Sequence, residues 1–215
     1  MDEAVNYNRF LLEEVARWAS GAERVLDFGA GNGRFAIGLH EMGRRVGAVE
    51  PDPELRATIA AAGVSAYPGL AAVPAGDYDA AYTINVLEHI DDDLAVLREL
   101  FERLVPGGGL FVYVPAFNIL FSGNDARVGH LRRYRRDTLT AVVRDAGFEV
   151  EAVHHVDSIG FVAGLAYRLF GDRDGDLNVG AVKLYDAAVF PVSRAIDRIT
   201  GGAIGKNLLL TARRP

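Results

Sequence analysis

Short apolar runs that stop at glycine or proline alternate along this chain with stretches of helical period, and that alternation is what most limits its fold. "RVLDFG" (24–29), "RVGAVE" (45–50), "VSAYP" (64–68), "YDAAYTINVL" (78–87), "GLFVYVP" (109–115), "FEVEAVHHV" (148–156) and "KNLLLTARR" (206–214) read as seven strands. The first ones are apolar throughout rather than at every second position, as expected of strands buried on both faces. Between them, "VNYNRFLLEEVARWA" (5–19), "RFAIGLHEMG" (34–43), "PELRATIAAAG" (53–63), "DDDLAVLRELFERLVPGG" (91–108) and "RDTLTAVVRDAG" (136–147) read as helices. Acids in the first turn and a Pro-Gly stop mark 91–108 most clearly. The pattern predicts an α/β fold, a doubly wound and mainly parallel seven-stranded sheet with helices on both faces.

One segment interrupts the rhythm. Residues 157–205 are too many for a plain connection between strands six and seven, and read as two helices around the turn "GDRDGDLNVG" (171–180). They form a helical cap inserted before the last strand, within a single domain spanning 1–215. The cap is rich in apolar residues but broken by Arg168, Asp186 and Arg194, so it could cover a pocket or make peripheral contact with a membrane, and no stretch predicts a spanning helix.

Composition excludes several functions. The chain has no cysteine, which removes thiolate metal sites and cysteine nucleophiles. Its formal charge of −6 argues against a nucleic-acid partner, whose binding rests on clustered Lys and Arg. The start "MDEAVNYNRF" lacks the basic-then-apolar order of a secretory signal, and a cytoplasmic protein is the simplest expectation. The sequence leaves the oligomeric state open.

The loop after the first strand carries the strongest chemical signal. In "VLDFGAGNGRF" (25–35), Gly29, Gly31 and Gly33 alternate with Phe28, Ala30 and Asn32, directly after Asp27. Glycines there adopt positive φ and let a ligand approach the backbone, at the strand ends where a doubly wound sheet binds ligands. A dinucleotide fingerprint requires G-x-G-x-x-G, and position 34 is Arg34 instead. Asp27 would repel a pyrophosphate but suit a cation. Glu50, at the end of the second strand, can accept both hydroxyls of a ribose. A ribose-bearing cation fits this pair best.

This pattern resembles the class I S-adenosylmethionine-dependent methyltransferases, whose first motif is an acid followed by G-x-G-x-G. "DAAYTINVLEHIDD" (79–92), "LRELFERLVPGGGLFVYVP" (97–115) and "VRDAGFEV" (143–150) look like later segments of the same family in the same order, and "GHLRRY" (129–134) resembles a stretch found in type 11-like members. The resemblance implies a Rossmann-like fold and S-adenosylmethionine as cofactor, with S-adenosylhomocysteine as product. It implies cofactor contacts from Asp27, Gly29, Ala30, Gly31, Gly33, Glu50, Pro51, Gly69, Leu70, Asn85 and Val86. The acid that the family often places after strand three is absent here.

Methyl transfer from a sulfonium is a direct displacement, so a general base is needed only when the acceptor holds a proton at neutral pH, as a hydroxyl does. His89 and His130 are the candidate catalytic bases. Arg132, Arg133 and Tyr134 are the candidate substrate residues, because a guanidinium fork would select an anionic group on a small-molecule acceptor. Arg135 and Arg136 read as a solvated helix start, and of His154 and His155 one is expected to pack and one to face solvent. "DDD" (91–93) is explained by a helix dipole, and no metal is expected. The expected activity is methyl transfer to O, N or C of a small molecule. Two alternatives stand beside it, an inactive membrane- or partner-binding module of the same fold and an NAD(P)-dependent reductase.

Overall fold

The computed structural model describes residues 3–170 and 179–215. Seven strands form one sheet: β1 (Arg24–Phe28), β2 (Arg45–Val49), β3 (Ser65–Tyr67), β4 (Tyr78–Ile84), β5 (Leu104–Pro115), β6 (Glu149–Val156) and β7 (Asn207–Arg213), in the order 3-2-1-4-5-7-6. Only β7 runs antiparallel to its neighbours. Helices α1 (Val5–Trp18), α2 (Arg34–Glu41), α3 (Pro53–Ala61), α4 (Asp93–Arg103), α5 (Gly123–Arg127) and α6 (Arg136–Asp145) connect or flank the strands.

Alternation along each strand sends neighbouring side chains to opposite faces. Val25, Phe111 and Tyr113 join Leu11, Val15 and Leu39 in one core layer under α1 and α2. Leu26, Leu110 and Val112 join Leu97, Leu100, Leu139 and Val143 in the other, under α4 and α6. The local signals work as their chemistry dictates: Asp52 accepts the N–H groups of Glu54 and Leu55 ahead of Pro53, and Asp92 accepts that of Ala95.

Two boundaries differ from the sequence reading. The predicted helix over 91–108 ends at Arg103, because Leu104 already pairs with Tyr78; the Pro-Gly segment is an irregularity within β5, with Gly107 at positive φ. Strand β4 stops at Ile84, three residues before its predicted end, because Asn85 turns to φ 54°. Helix α5 has no hydrophobic period to announce it. It is set by a capping box in which Asp125 accepts the N–H and Oγ–H of Ser122.

The cap contains α7 (Ser158–Phe170), then α8 (Val179–Leu184), a π turn (Tyr185–Val189) and α9 (Phe190–Thr200) in continuous succession. Most of the predicted turn at 171–180 lies outside the described residues. Fully buried Asp157, at φ 67°, ties the cap together by accepting from Tyr185 Oη (2.6 Å) and Ser193 Oγ (2.7 Å) and by pairing with the Lys206 ammonium (3.1 Å). Asp186, in the π turn, accepts the backbone N–H groups of Asn6 and Tyr7 at 2.8 Å each, so α1 is fastened to the cap. No helix among the described residues is long and apolar enough to cross a membrane.

Candidate cofactor and acceptor site

The order of connection reverses between β1 and β4, and at such a switch point the two strands' carboxyl ends open a crevice. The loops that follow them touch there: a Cβ on Gly29 would stand 2.3 Å from Val86 Cγ2. The three loop glycines all have positive φ (81°, 56° and 78°), yet they serve different needs. Gly29 makes room for Val86 and Gly33 for Ile59, whereas a Cβ on Gly31 would meet nothing within 4 Å. Gly31 is thus the glycine that faces open space, the property a ligand platform needs.

Glu50 sits beside it, nearly buried, with Oε2 accepting the Gly31 N–H at 2.8 Å and Oε1 the Asp52 N–H at 2.9 Å. Both oxygens are fixed in place with lone pairs to spare. Asp27 is 2 % exposed, and its Oδ2 has no hydrogen-bond partner. Burial pushes this carboxyl up to about 7, helped by the charge of Glu50 and opposed by Tyr82 and the backbone of Ala36. A buried carboxylate lacking a counter-charge fits a cation. Of the other expected cofactor residues, Ala30 is buried and its N–H bonds to Val49 O, Pro51 is exposed, and Gly69 has extended backbone beside open space. Leu70 packs its side chain in the core with Leu26 and Val49. Asn85 is half-buried and its N–H bonds to Tyr113 O.

The loop after β4 meets the "GHLRRY" stretch. His89 and His130 lie edge to face with ring centroids 4.7 Å apart. His89 is exposed, its Nδ1 stands 3.2 Å from Gly129 O, and partial burial together with His130 holds it below the usual histidine range. His130 Nδ1 is 2.8 Å from Asp125 Oδ1, and its Nε2 is 3.7 Å from Glu88 Oε1. Glu88 is 0 % exposed and neither carboxylate oxygen has a hydrogen-bond partner; burial pushes it up to about 7.

The three expected substrate residues are occupied elsewhere. Arg133 grips buried Asp125 with Nε (2.8 Å) and Nη2 (3.0 Å), and Arg132 Nη1 lies 3.1 Å from Asp93 Oδ2. Tyr134 is buried, donating to Asp93 Oδ2 at 2.6 Å. Together they staple the loop after β5 to the start of α4. Burial by itself would raise Asp125, but His130 and Arg133 hold it well below the carboxylate range. Arg136, expected to be solvated, is half-buried and donates to His155 Nδ1 at 3.2 Å. His155 is the packed member of its pair, stacked on Phe117, and His154 is half-buried rather than fully solvated.

Sequence reasoning missed Glu88, Asp125, Tyr7 and Tyr113. An acid inside the apolar run "INVLEHI" was a usable signal for Glu88. The hydroxyl pair Tyr7–Tyr113 (3.2 Å) joins α1 to β5 and leaves no trace in local pattern.

The fold and crevice define a class I S-adenosylmethionine-dependent methyltransferase domain. Residues 3–153 match the family described as a methyltransferase domain, and the chain belongs to that family. It is 35% identical over 116 residues to a ubiquinone biosynthesis O-methyltransferase of Xanthomonas axonopodis pv. citri, covering 49% of this chain and 48% of that protein. The chain spans about half the length of the curated relatives it matches. Among solved structures, a SAM-dependent methyltransferase from Archaeoglobus fulgidus aligns with TM-score 0.64 at 15% identity, covering 96% of this chain and 94% of the other. The [4+2]-cyclase SpnF aligns at 0.65 with 24% identity, covering 97% and 80%. These structural likenesses concern the fold.

Proposed function

We propose that the protein transfers the methyl group of S-adenosylmethionine to a hydroxyl oxygen of a small molecule. The observation that carries this reading is the crevice itself, where Gly31 faces open space beside the fixed carboxylate of Glu50, with the uncompensated carboxyl of Asp27 in the strand below. In this reading Glu50 takes the ribose hydroxyls and Asp27 answers the cationic half of the cofactor. The acceptor oxygen approaches from the side of His89 and His130, either of which can take the proton that a hydroxyl must lose. Alignment of the two reactants supplies most of the rate. Choice of oxygen over nitrogen or carbon is supported by the activity named for the ubiquinone-biosynthesis relatives. Phe117, stacked on His155 and edge to face with Phe161, offers a flat apolar wall beyond β5 that suits a ring-shaped acceptor. A charged acceptor group is no longer required, since Arg132 and Arg133 already hold carboxylates.

Calorimetric titration with S-adenosylmethionine and S-adenosylhomocysteine tests the reading, followed by incubation with labelled cofactor and small phenols. Absence of cofactor binding at millimolar concentration would overturn it.

A second reading adds a lipid surface as partner. The outer face of the cap carries Val162, Leu184, Val192 and Ile199, the last 86% exposed. Such a face can rest on a membrane while the crevice takes an apolar acceptor. Co-sedimentation with liposomes is the check, and a protein that stays in the supernatant rules this partner out.

A further inference from the structure

We propose that Glu88, His89 and His130 form a binding site for a divalent transition-metal ion of the zinc, manganese or iron type. Each of the three offers one ligand atom, and these atoms lie within 4.8 Å of one another. Two further observations separate this trio from an ordinary polar cluster.

The first is Glu88. It is fully buried, and both its carboxylate oxygens lack any hydrogen-bond partner. A buried carboxylate without donors costs several kcal/mol unless a cation answers it. Arg133 of the "GHLRRY" stretch is committed to Asp125.

The second is the orientation of the two imidazoles. Asp125 and the Gly129 carbonyl can only accept, so the Nδ1 atoms of His130 and His89 carry their hydrogens toward them. In the neutral rings this leaves Nε2 of each histidine as the lone-pair nitrogen. A carboxylate or carbonyl behind each histidine is the arrangement that orients imidazoles at metal centres. Asp125 is in turn fixed by both arms of Arg133, so His130 is held by a partner that cannot itself turn.

Distances fit. A tetrahedral zinc ion with ligands at about 2.0–2.1 Å sets neighbouring ligand atoms about 3.4 Å apart. His130 Nε2 and Glu88 Oε1 are 3.7 Å apart, and a ring nitrogen of His89 lies within 4.8 Å of the ligand atoms of the other two. Two imidazoles and one carboxylate suit zinc, manganese or iron better than magnesium or calcium, which favour all-oxygen sets. With three protein ligands the ion keeps an open position, as catalytic rather than structural sites do.

The inference deepens the proposed methyl transfer. With both Nε2 atoms on the ion neither histidine would act as the base; an acceptor hydroxyl bound at the open position would instead release its proton to solvent water, and the ion would hold the resulting oxyanion.

The test uses chelator-treated full-length protein titrated with zinc and cobalt salts alone, read by calorimetry and by the cobalt visible spectrum. One saturable site per chain is expected, weakened at least about tenfold in His89→Ala and His130→Ala and about 10- to 100-fold in Asp125→Asn. His89 is exposed, so its variant reports ligation without disturbing the core. Absence of one saturable site at micromolar metal, or unchanged affinity in the His89→Ala, His130→Ala double variant, overturns the proposal. S-adenosylmethionine binding measured on the same samples separates the two readings: cofactor binding without metal binding removes only this inference, and metal binding without cofactor binding removes the proposed function.

Discussion

Glu50 accepts the backbone N–H of Gly31 at 2.8 Å, so the carboxylate placed to hold a ribose also pins the middle of the glycine loop. Replacing it with glutamine removes charge-assisted bonds worth roughly 1.5–3 kcal/mol. Glu50→Gln should therefore weaken S-adenosylmethionine and S-adenosylhomocysteine by a similar factor, about 10- to 100-fold. The ribose is common to both ligands. Calorimetry on the two ligands checks the prediction, and a loss confined to one of them contradicts it.

Asp27 should distinguish the same two ligands. Its folded value of about 7 is raised above the ordinary carboxyl value of about 4, first by burial. A raised carboxyl contributes its stability below the unfolded value and loses it as pH rises through the folded one, here from about pH 4 to about pH 7. Ligand-free protein therefore carries a cost of up to about 4 kcal/mol above pH 7, and Asp27→Asn should be the more stable protein at pH 8 in denaturant unfolding. Affinity for the cationic cofactor should rise with pH and level off above 7. That for the neutral product should change less, and the asparagine variant should show neither trend.

The loop glycines should divide by function. Gly29→Ala meets both a positive φ and Val86 Cγ2, and strain of about 1–2 kcal/mol plus overpacking of about 1–3 kcal/mol should lower the unfolding midpoint clearly. Gly31→Ala has only the backbone strain, and its larger effect should appear in cofactor affinity. Thermal unfolding and titration of both variants decide the matter; equal effects in both assays would sink the division.

Arg133 should behave as a structural residue. Arg133→Ala leaves Asp125, 1% exposed, as a buried carboxylate held only by His130 and Ser122, and breaking such a buried pair costs about 3–5 kcal/mol. Arg132, whose partner Asp93 is also bonded by Tyr134, should cost less when removed. Denaturant midpoints of the two variants provide the comparison. An Arg133→Ala protein of undiminished stability with altered acceptor kinetics would return this residue to substrate binding.

How much of this was legible in the chain varies with the range of the interaction involved. The seven strands, their helices and the cofactor loop could be read directly, because burial on both faces writes an apolar run into β1 and β2, and a platform for a ribose-bearing cation demands glycine at fixed places near an acid. His89 and His130 were found as residues, but their pairing was not, since they are separated by β5 and meet only after the sheet orders its strands. "HLRRY" illustrates the opposite failure. Arg132 and Arg133 near a predicted pocket mouth read as substrate binders, yet Asp125, carried on a short helix without hydrophobic period, consumes Arg133, and Asp93 engages Arg132.

Sequence alone determined the fold class and a loop suited to a ribose-bearing cation, because both follow from period, spacing and the local backbone freedom of glycine, and the family resemblance of its motifs named the cofactor. Tertiary structure decided which charges neutralise one another. It left Glu88 buried and unpartnered beside two histidines oriented by Asp125 and Gly129, a pairing set by where two loops land at the sheet's carboxyl edge.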